Sequence, residues 1–311
     1  MSAPPISSAE HTRLTSRAAA LSIGVAVMLV MLKGWAWFAS SSVAMLASLA
    51  DSTLDLAASL ITFFAVRYAA HPPDREHRFG HGKAEAFAGL MQAGLVAISA
   101  VLITLEAMPR LVAPTPVAHG FESLAVMVLS IIATAGLVRA QTRAVQRTGS
   151  VATAADRLHY IGDLASNFAV MIGIGAGFYF GWTWADALAA LFVAAWLCWG
   201  ALHVAREAAD HLLDRELPDV QRQRIRDLVE SDPALGRVHD LRTRTSGPYM
   251  HIQFHVDLAP SMTLEEAHNL VVAAEERVRA EFPTADIIIH PDPKGRAEPH
   301  GHEDFERARH G

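Results

Sequence analysis

Two apolar segments of the chain each contain a pair of potential metal ligands four residues apart. Asp51 and Asp55 form one pair, and His159 and Asp163 form the other. If both segments are helical, the members of each pair lie on one helix face, about one turn apart. Together they offer three carboxylates and one imidazole, a set that suits a tetrahedral zinc-like ion. A single carboxylate could instead cap a helix or bond a nearby serine, but two matched pairs at membrane depth favour a metal site.

The same four side chains indicate an exchange of metal for protons. A metal ligand must be deprotonated, so metal binding releases protons and proton binding expels metal. The imidazole of His159 titrates near neutral pH in its ordinary state. Because the set contains no thiolate, it can also release its ion, as a transporter requires. The chemistry therefore predicts proton-coupled cation transport.

The elements that must position these ligands are membrane-spanning helices. Hydrophobic residues make up 51% of the 311 residues and charged residues only 19%, which is apolar for a soluble protein of this size. Six apolar segments are each close to the ~20 residues that a helix needs to cross a bilayer. They are Ala18–Phe38, Ser42–Val66, Ala84–Met108, Phe121–Val138, Leu158–Gly181 and Ala185–Ala205.

Lysine and arginine lie mainly on one side of these segments. The link between the third and fourth segments contains only Arg110, and the link between the fifth and sixth contains none. The positive-inside rule then predicts that both termini are cytoplasmic, in a multi-pass protein of the bacterial inner membrane. The basic residues on the predicted cytoplasmic side are Arg13, Arg17, Arg67, Arg75, Arg78, Lys83, Arg139, Arg143, Arg147 and Arg157.

The character of the chain changes after Asp214. The pattern predicts a helix at Val220–Ser231, strands at Val238–Thr245, Tyr249–Leu258 and Asp286–His290, and a helix from a capping box at Thr263 and Glu266 to about Phe282. This order, αββαβ, predicts a small α+β domain. The predicted domains are an N-terminal arm (1–15), a six-span transmembrane domain (16–214), a cytoplasmic α+β metal-binding domain (215–293) and a disordered tail (294–311).

Composition excludes several classes of function. The net charge of -6 provides no basic surface for nucleic acid. A single cysteine, Cys198, excludes a disulfide framework and a cysteine-based zinc finger. The sixteen histidines are more informative, because histidine is the commonest metal ligand.

Two further groups of residues could bind metal on the cytoplasmic side. Asp74, His77 and His81 lie in the link between the second and third segments, where a solvated polar loop is the alternative. In the α+β domain, several histidines and one carboxylate could converge or simply decorate the surface. They are His239, His251, His255, His268, His290 and Asp292.

Several motifs resemble those of the cation diffusion facilitator family, and the match is closest to its bacterial ferrous-iron/zinc efflux pump branch. The motifs are Ser48–Asp55, His77–Glu85, His159–Asp163, Asp214–Asp219, His239–Arg244 and Ile287–Pro293. The resemblance covers about Ala18 to Pro293. It implies a homodimer of six-span protomers in membrane lipid, each with a metallochaperone-like cytoplasmic domain.

The resemblance also implies roles for individual residues. It assigns the transport site to Asp51, Asp55, His159 and Asp163, and a loop site to Asp74, His77 and His81. It assigns a binuclear site to the cytoplasmic domain, and His251 does not match that motif. Lys83 and Asp214 resemble the charge interlock that joins two protomers, although an ordinary surface salt bridge is the alternative. The implied binuclear ligands are His239, His255, His268, His290 and the bridging Asp292.

The sequence thus predicts a proton-coupled antiporter that exports divalent metal cations from the cytoplasm, with Zn²⁺ both transported and bound as a structural ion. His159 favours zinc and cadmium over the harder manganese and iron. An intramembrane metalloenzyme is disfavoured, because the chain lacks a His-Glu-x-x-His signature and fills four ligand positions. A membrane-anchored metal sensor is the main alternative, but a sensor does not need carboxylates in two membrane segments.

Overall fold

The computed structural model describes residues 7–40, 43–112, 121–180, 182 and 184–295. These residues form two compact units: the first extends to Leu213 and includes the short stretch Ser246–Pro248, and the second contains Asp214–Thr245 and the residues from Tyr249 onward. The predicted disordered tail lies outside the described residues from position 296 onward.

The first unit consists of long helices. They are α1 (Ser8–Ser40), α2 (Val43–Ala69), α3 (Lys83–Val112), α4 (Phe121–Thr148), α5 (Val151–Phe180) and α6 (Ala185–Leu212). All of them except α5 contain a described stretch that is long and apolar enough to cross a membrane, which gives five candidate spans. Helix α5 has 30 residues and carries three charged side chains, Asp156, Arg157 and Asp163, in its first half. Most of these helices extend beyond the apolar segments predicted from the sequence, because polar residues such as Arg13 and Arg17 continue α1 past its apolar part.

Helices α5 and α6 pack closely through small residues. Gly162 of α5 lies against Leu197 of α6, and Gly200 of α6 lies against Leu158 of α5. Small residues of this kind allow helix backbones to approach each other in a bilayer. Helix α5 also packs against α2, α3 and α4, so it lies inside the bundle.

A buried polar network joins four helices of this unit. The Ser22 hydroxyl of α1 donates to Asp156 Oδ2 of α5 at 2.6 Å, and Gln141 Nε2 of α4 donates to the same oxygen at 2.8 Å. The Tyr160 hydroxyl lies 2.8 Å from Ser59 Oγ of α2. All five side chains are buried. Because an unpaired polar group is costly inside a bilayer, these bonds fix α1, α2 and α4 around α5.

The second unit is an α+β domain. Its elements are α7 (Asp219–Glu230), β1 (Val238–Ser246), β2 (Tyr249–Leu258), α8 (Leu264–Glu281) and β3 (Ala285–Pro293). The sheet order is β1-β2-β3, and β2 and β3 run parallel with α8 as their connection. Thr263 and Glu266 form the predicted capping box at the start of α8. Strand β3 is longer than predicted, because prolines 291 and 293 are tolerated on an edge strand.

The two faces of this sheet have different chemistry. Ile252, Phe254 and Val256 of β2 are buried on one face, against Ala274 and Val278 of α8. The polar residues that alternate with them along β2 lie on the opposite face, because successive side chains of a strand point to opposite faces. Parallel register on that face places His255 beside His290 and Asp257 beside Asp292.

Candidate metal sites

The first site lies where α2 meets α5 and contains Asp55, His159 and Asp163. Their ligand atoms all lie within 4.8 Å of one another. His159 Nε2 is 2.8 Å from Asp55 Oδ1, and the two side chains are only 11% and 9% exposed. Asp55 lies near the middle of α2, about 18 Å from one end at 1.5 Å per residue. A carboxylate, an imidazole and a second carboxylate therefore converge deep in the bundle.

Asp51, the fourth predicted ligand, lies one helical turn before Asp55. It is exposed in the single protomer and is not part of the group that converges within 4.8 Å. Its position as a ligand stays a prediction. The fourth ligand of a tetrahedral ion can come from Asp51 only if its side chain turns toward His159.

The second site is the loop between α2 and α3. His81 Nε2 lies 3.1 Å from Asp74 Oδ2, and His77 Nδ1 lies 3.4 Å from Asp74 Oδ1. The backbone N–H groups of His77 and Glu76 donate to Asp74 Oδ1 at 2.6 and 2.9 Å. These bonds, with that from His77 first, hold the pKa of Asp74 below its ordinary value. The loop therefore presents an ionised carboxylate between two imidazoles, which is a suitable set for a zinc-like ion.

The third site lies on the polar face of the sheet in the second unit. Asp292 is 6% exposed and has three imidazoles around it: His255 Nδ1 at 2.9 Å, His290 Nε2 at 3.3 Å and His239 Nε2 at 3.4 Å. Asp240, with a φ of 48°, interrupts the alternation of β1 just after His239. Three strands thus contribute to one cluster around a buried carboxylate, and the role of Asp292 as a bridge between two ions stays a prediction.

The remaining predicted residues of the second unit are placed differently. His268 is exposed on α8, the helix that packs on the apolar face of the sheet. His251 is buried and lies 3.4 Å from Asp286. Burial, with a smaller effect of Arg244, holds the pKa of His251 below its ordinary value. The role of His268 as a ligand stays a prediction.

The predicted charge interlock involves residues of both units. Lys83 donates to the backbone oxygen of Leu212 at 3.2 Å within the first unit. Asp214 lies 3.2 Å from Arg244 within the second unit. A contact of either residue with a second protomer stays a prediction.

Sequence reasoning missed two charged residues inside the bundle. Lys33 lies on α1 and donates to Ser52 Oγ of α2 at 2.7 Å. Asp156 lies one turn before His159 on α5 and is 1% exposed. Lys33 could have been found as a basic residue within the first apolar segment. Asp156 could have been found by extending the helical spacing of His159 and Asp163 toward the N-terminus.

Comparison with known proteins matches both units. The cation efflux transmembrane domain matches residues 19–213, and the cytoplasmic domain of cation efflux proteins matches residues 217–294. The cation-efflux pumps FieF of Salmonella arizonae and of Salmonella typhimurium are each 42% identical over 283 residues. The match covers 91% of this chain and 94% of each relative.

Solved structures of two other transporters also match. The Zn form of CzrB is 32% identical, with a TM-score of 0.26, over 27% of this chain and 98% of that chain. The metal-bound C-terminal domain of the CzcD transporter from Thermotoga maritima is 22% identical, with a TM-score of 0.24, over 26% of this chain and 100% of that chain.

Long apolar helices, clusters of nitrogen and oxygen ligands and a small cytoplasmic domain define a multi-pass membrane protein that can bind cations. The chain belongs to the cation efflux family, on the match of 195 residues in its transmembrane part and on its identity to cation-efflux pumps.

Proposed function

We propose that the protein exports divalent transition-metal cations, zinc foremost, from the cytoplasm of a bacterium in exchange for protons. The observation that carries this proposal is the convergence of Asp55, His159 and Asp163 between two membrane helices. Ionisable groups at this depth are costly and mark ion pathways. The imidazole favours zinc-like ions over harder cations, and the absence of thiolates permits release.

The contact between His159 and Asp55 supports the coupling to protons. At 2.8 Å, the imidazole nitrogen and the carboxylate oxygen share one hydrogen. When the imidazole is protonated on both nitrogens, a metal ion that uses both atoms as ligands displaces that hydrogen as a proton, and the ring remains as a neutral ligand that keeps its other N–H. Protons that arrive from the outside restore the hydrogen bond and expel the ion. Metal and proton therefore compete for the same two atoms.

The cytoplasmic clusters support a second role for metal. His239, His255 and Asp292 would hold zinc in the second unit, together with the neighbouring His290. Zinc bound there would stabilise association of two cytoplasmic domains, and Lys83 and Asp214 would hold the protomers together. Bound metal then favours one conformation of the dimer through its differential affinity. In this arrangement there are six spans per protomer, and both termini are cytoplasmic.

The test is zinc flux in proteoliposomes under an imposed pH gradient. The native protein is compared with Asp163→Ala and with Glu106→Gln, which changes an exposed carboxylate that pairs with Arg110 on α3. We expect flux that depends on the gradient, is lost in Asp163→Ala and is retained in Glu106→Gln. Flux that persists in Asp163→Ala would place the site elsewhere. Zinc binding without flux in the native protein would favour a membrane-anchored sensor.

A further inference from the structure

Lys33 is a basic residue inside a membrane helix, and the proposed transport chemistry does not use it. It lies seven residues before the end of α1, and Asp51 lies eight residues after the start of α2. At 1.5 Å per residue, both lie about 10–12 Å from the ends that the short connection joins. Because α1 and α2 pack along each other, Lys33 and Asp51 are at the same depth.

The contacts of Lys33 place its ammonium beside the ligand-bearing face of α2. Its Nζ donates to Ser52 Oγ at 2.7 Å and to the backbone oxygen of Ser48 at 3.3 Å. These two residues flank Asp51 in sequence, and one helical turn separates them. Ser52 is the residue next to Asp51 in α2, so the ammonium lies on the stretch of the helix that carries Asp51. The ammonium is therefore held next to the site without being part of it.

An ammonium in this position cannot bind the metal. It has three N–H donors and no lone pair while it is charged, so it repels a cation and attracts the same carboxylates. When the imidazole of His159 is neutral, the three carboxylates of Asp51, Asp55 and Asp163 give the site a net charge of −3. The ammonium of Lys33 reduces this net negative charge to −2. A divalent cation balances that charge, whereas a monovalent cation leaves one negative charge unbalanced.

We propose that Lys33 is a tethered counter-cation of the transport site, which competes with the transported metal for the carboxylate of Asp51 and so speeds metal release. This inference rests on the proposed function. In the metal-free protein the ammonium stabilises the carboxylates. In the metal-bound protein it repels the ion, and this repulsion keeps the affinity low enough for turnover.

The test is the zinc dependence of flux in proteoliposomes that contain the full-length protein. Lys33→Gln removes the charge and keeps an N–H donor for Ser52, and Lys33→Arg keeps the charge. Because release slows when the repulsion is lost, we expect Lys33→Gln to lower KM by about tenfold and to lower kcat as well. Lys33→Arg should keep both values within about twofold of the native protein. Arg110→Gln, a change of a basic residue on α3 whose guanidinium bonds Glu106, should leave both values unchanged.

Each outcome bears on the proposal. An unchanged KM in Lys33→Gln would overturn it, and so would a higher KM, because the charge would then aid metal binding. A loss of flux in Lys33→Arg together with a native-like Lys33→Gln would also overturn it, because hydrogen bonding alone would then matter. A failure of the proposed function would be seen separately. Flux in the native protein would then not depend on the pH gradient, or flux would persist in Asp163→Ala.

Discussion

The packing of α5 on α6 makes a quantitative prediction about Gly200. A Cβ atom at this position would lie 2.9 Å from Cδ1 of Leu158 and 3.2 Å from its Cδ2. Two carbon atoms are most stable at about 3.5–4.0 Å, so Gly200→Ala forces the helices apart or Leu158 out of its rotamer. Leu158 immediately precedes His159, so we expect this displacement to reach the proposed transport site.

The magnitude follows from two opposing effects. Overpacking of this kind costs about 1–3 kcal/mol. Replacing glycine by alanine in a helix contributes up to about 1 kcal/mol of stability, which offsets part of that cost. Gly94 on α3 provides the matched control, because a Cβ atom there would meet nothing within 4 Å. The difference between Gly200→Ala and Gly94→Ala therefore isolates the overpacking, at about 2 kcal/mol.

Thermal unfolding and zinc flux of the two purified variants test this reasoning. For a unit of this size, about 2 kcal/mol corresponds to a Tm that is about 4–8 °C lower in Gly200→Ala than in Gly94→Ala. A shift of about 1 Å in the ligands can reduce the rate by up to about 100-fold, so flux should fall in Gly200→Ala alone. Equal Tm values and equal flux in the two variants would refute the role of this contact.

Three further predictions concern the second unit of the full-length protein. Thr263→Ala should cost about 1 kcal/mol, because it breaks the capping box with Glu266; hydrogen exchange in α8 measures this cost, and unchanged protection would contradict it. The pKa of His251 is lowered by burial from its ordinary 6.5, so the stability that its neutral ring contributes is present above pH 6.5 and is lost as pH falls through the lower pKa of the folded state. His251→Gln should therefore show a smaller loss of stability on acidification in chemical unfolding, and equal losses would exclude this cause. Asp292→Ala should lower the zinc bound per chain in equilibrium dialysis, because three imidazoles lose their shared carboxylate; unchanged binding would remove Asp292 from the site.

Parts of the fold and of the candidate site could be predicted from the sequence, because they follow from simple periodicities in it. Spacing of four residues placed His159 and Asp163 on one face of a helix, and these side chains converge with Asp55 of α2; the role of the four predicted residues as ligands stays a prediction. Alternation with a period of two correctly predicted the extent of β2, Tyr249–Leu258. Both patterns involve residues that are close together in the chain, so a single sequence is enough to detect them.

Other features depend on contacts between elements distant in sequence, and spacing does not encode them. Asp156 is stabilised by Ser22, which lies 134 positions away on α1. The cluster at Asp292 requires parallel register between β2 and β3, which only the folded sheet fixes. The spacing of the histidines in the second unit therefore could not decide whether they converge in a metal cluster or lie scattered on the surface.

The burial of the candidate sites argues for different rates of ion exchange with the solvent. Asp74 and His77 in the loop are 52% and 49% exposed, so an ion can reach two of the three loop ligands directly from solvent, although His81 is buried. Asp55 and His159 are about 10% exposed, so an ion can reach them only when helices move. Zinc occupancy of the loop site should therefore change as fast as the free zinc concentration changes. Zinc occupancy of the site between α2 and α5 should change only as fast as the helices rearrange. Kinetic binding measurements on the native protein should then show two phases, and Asp163→Ala should remove only the slow one.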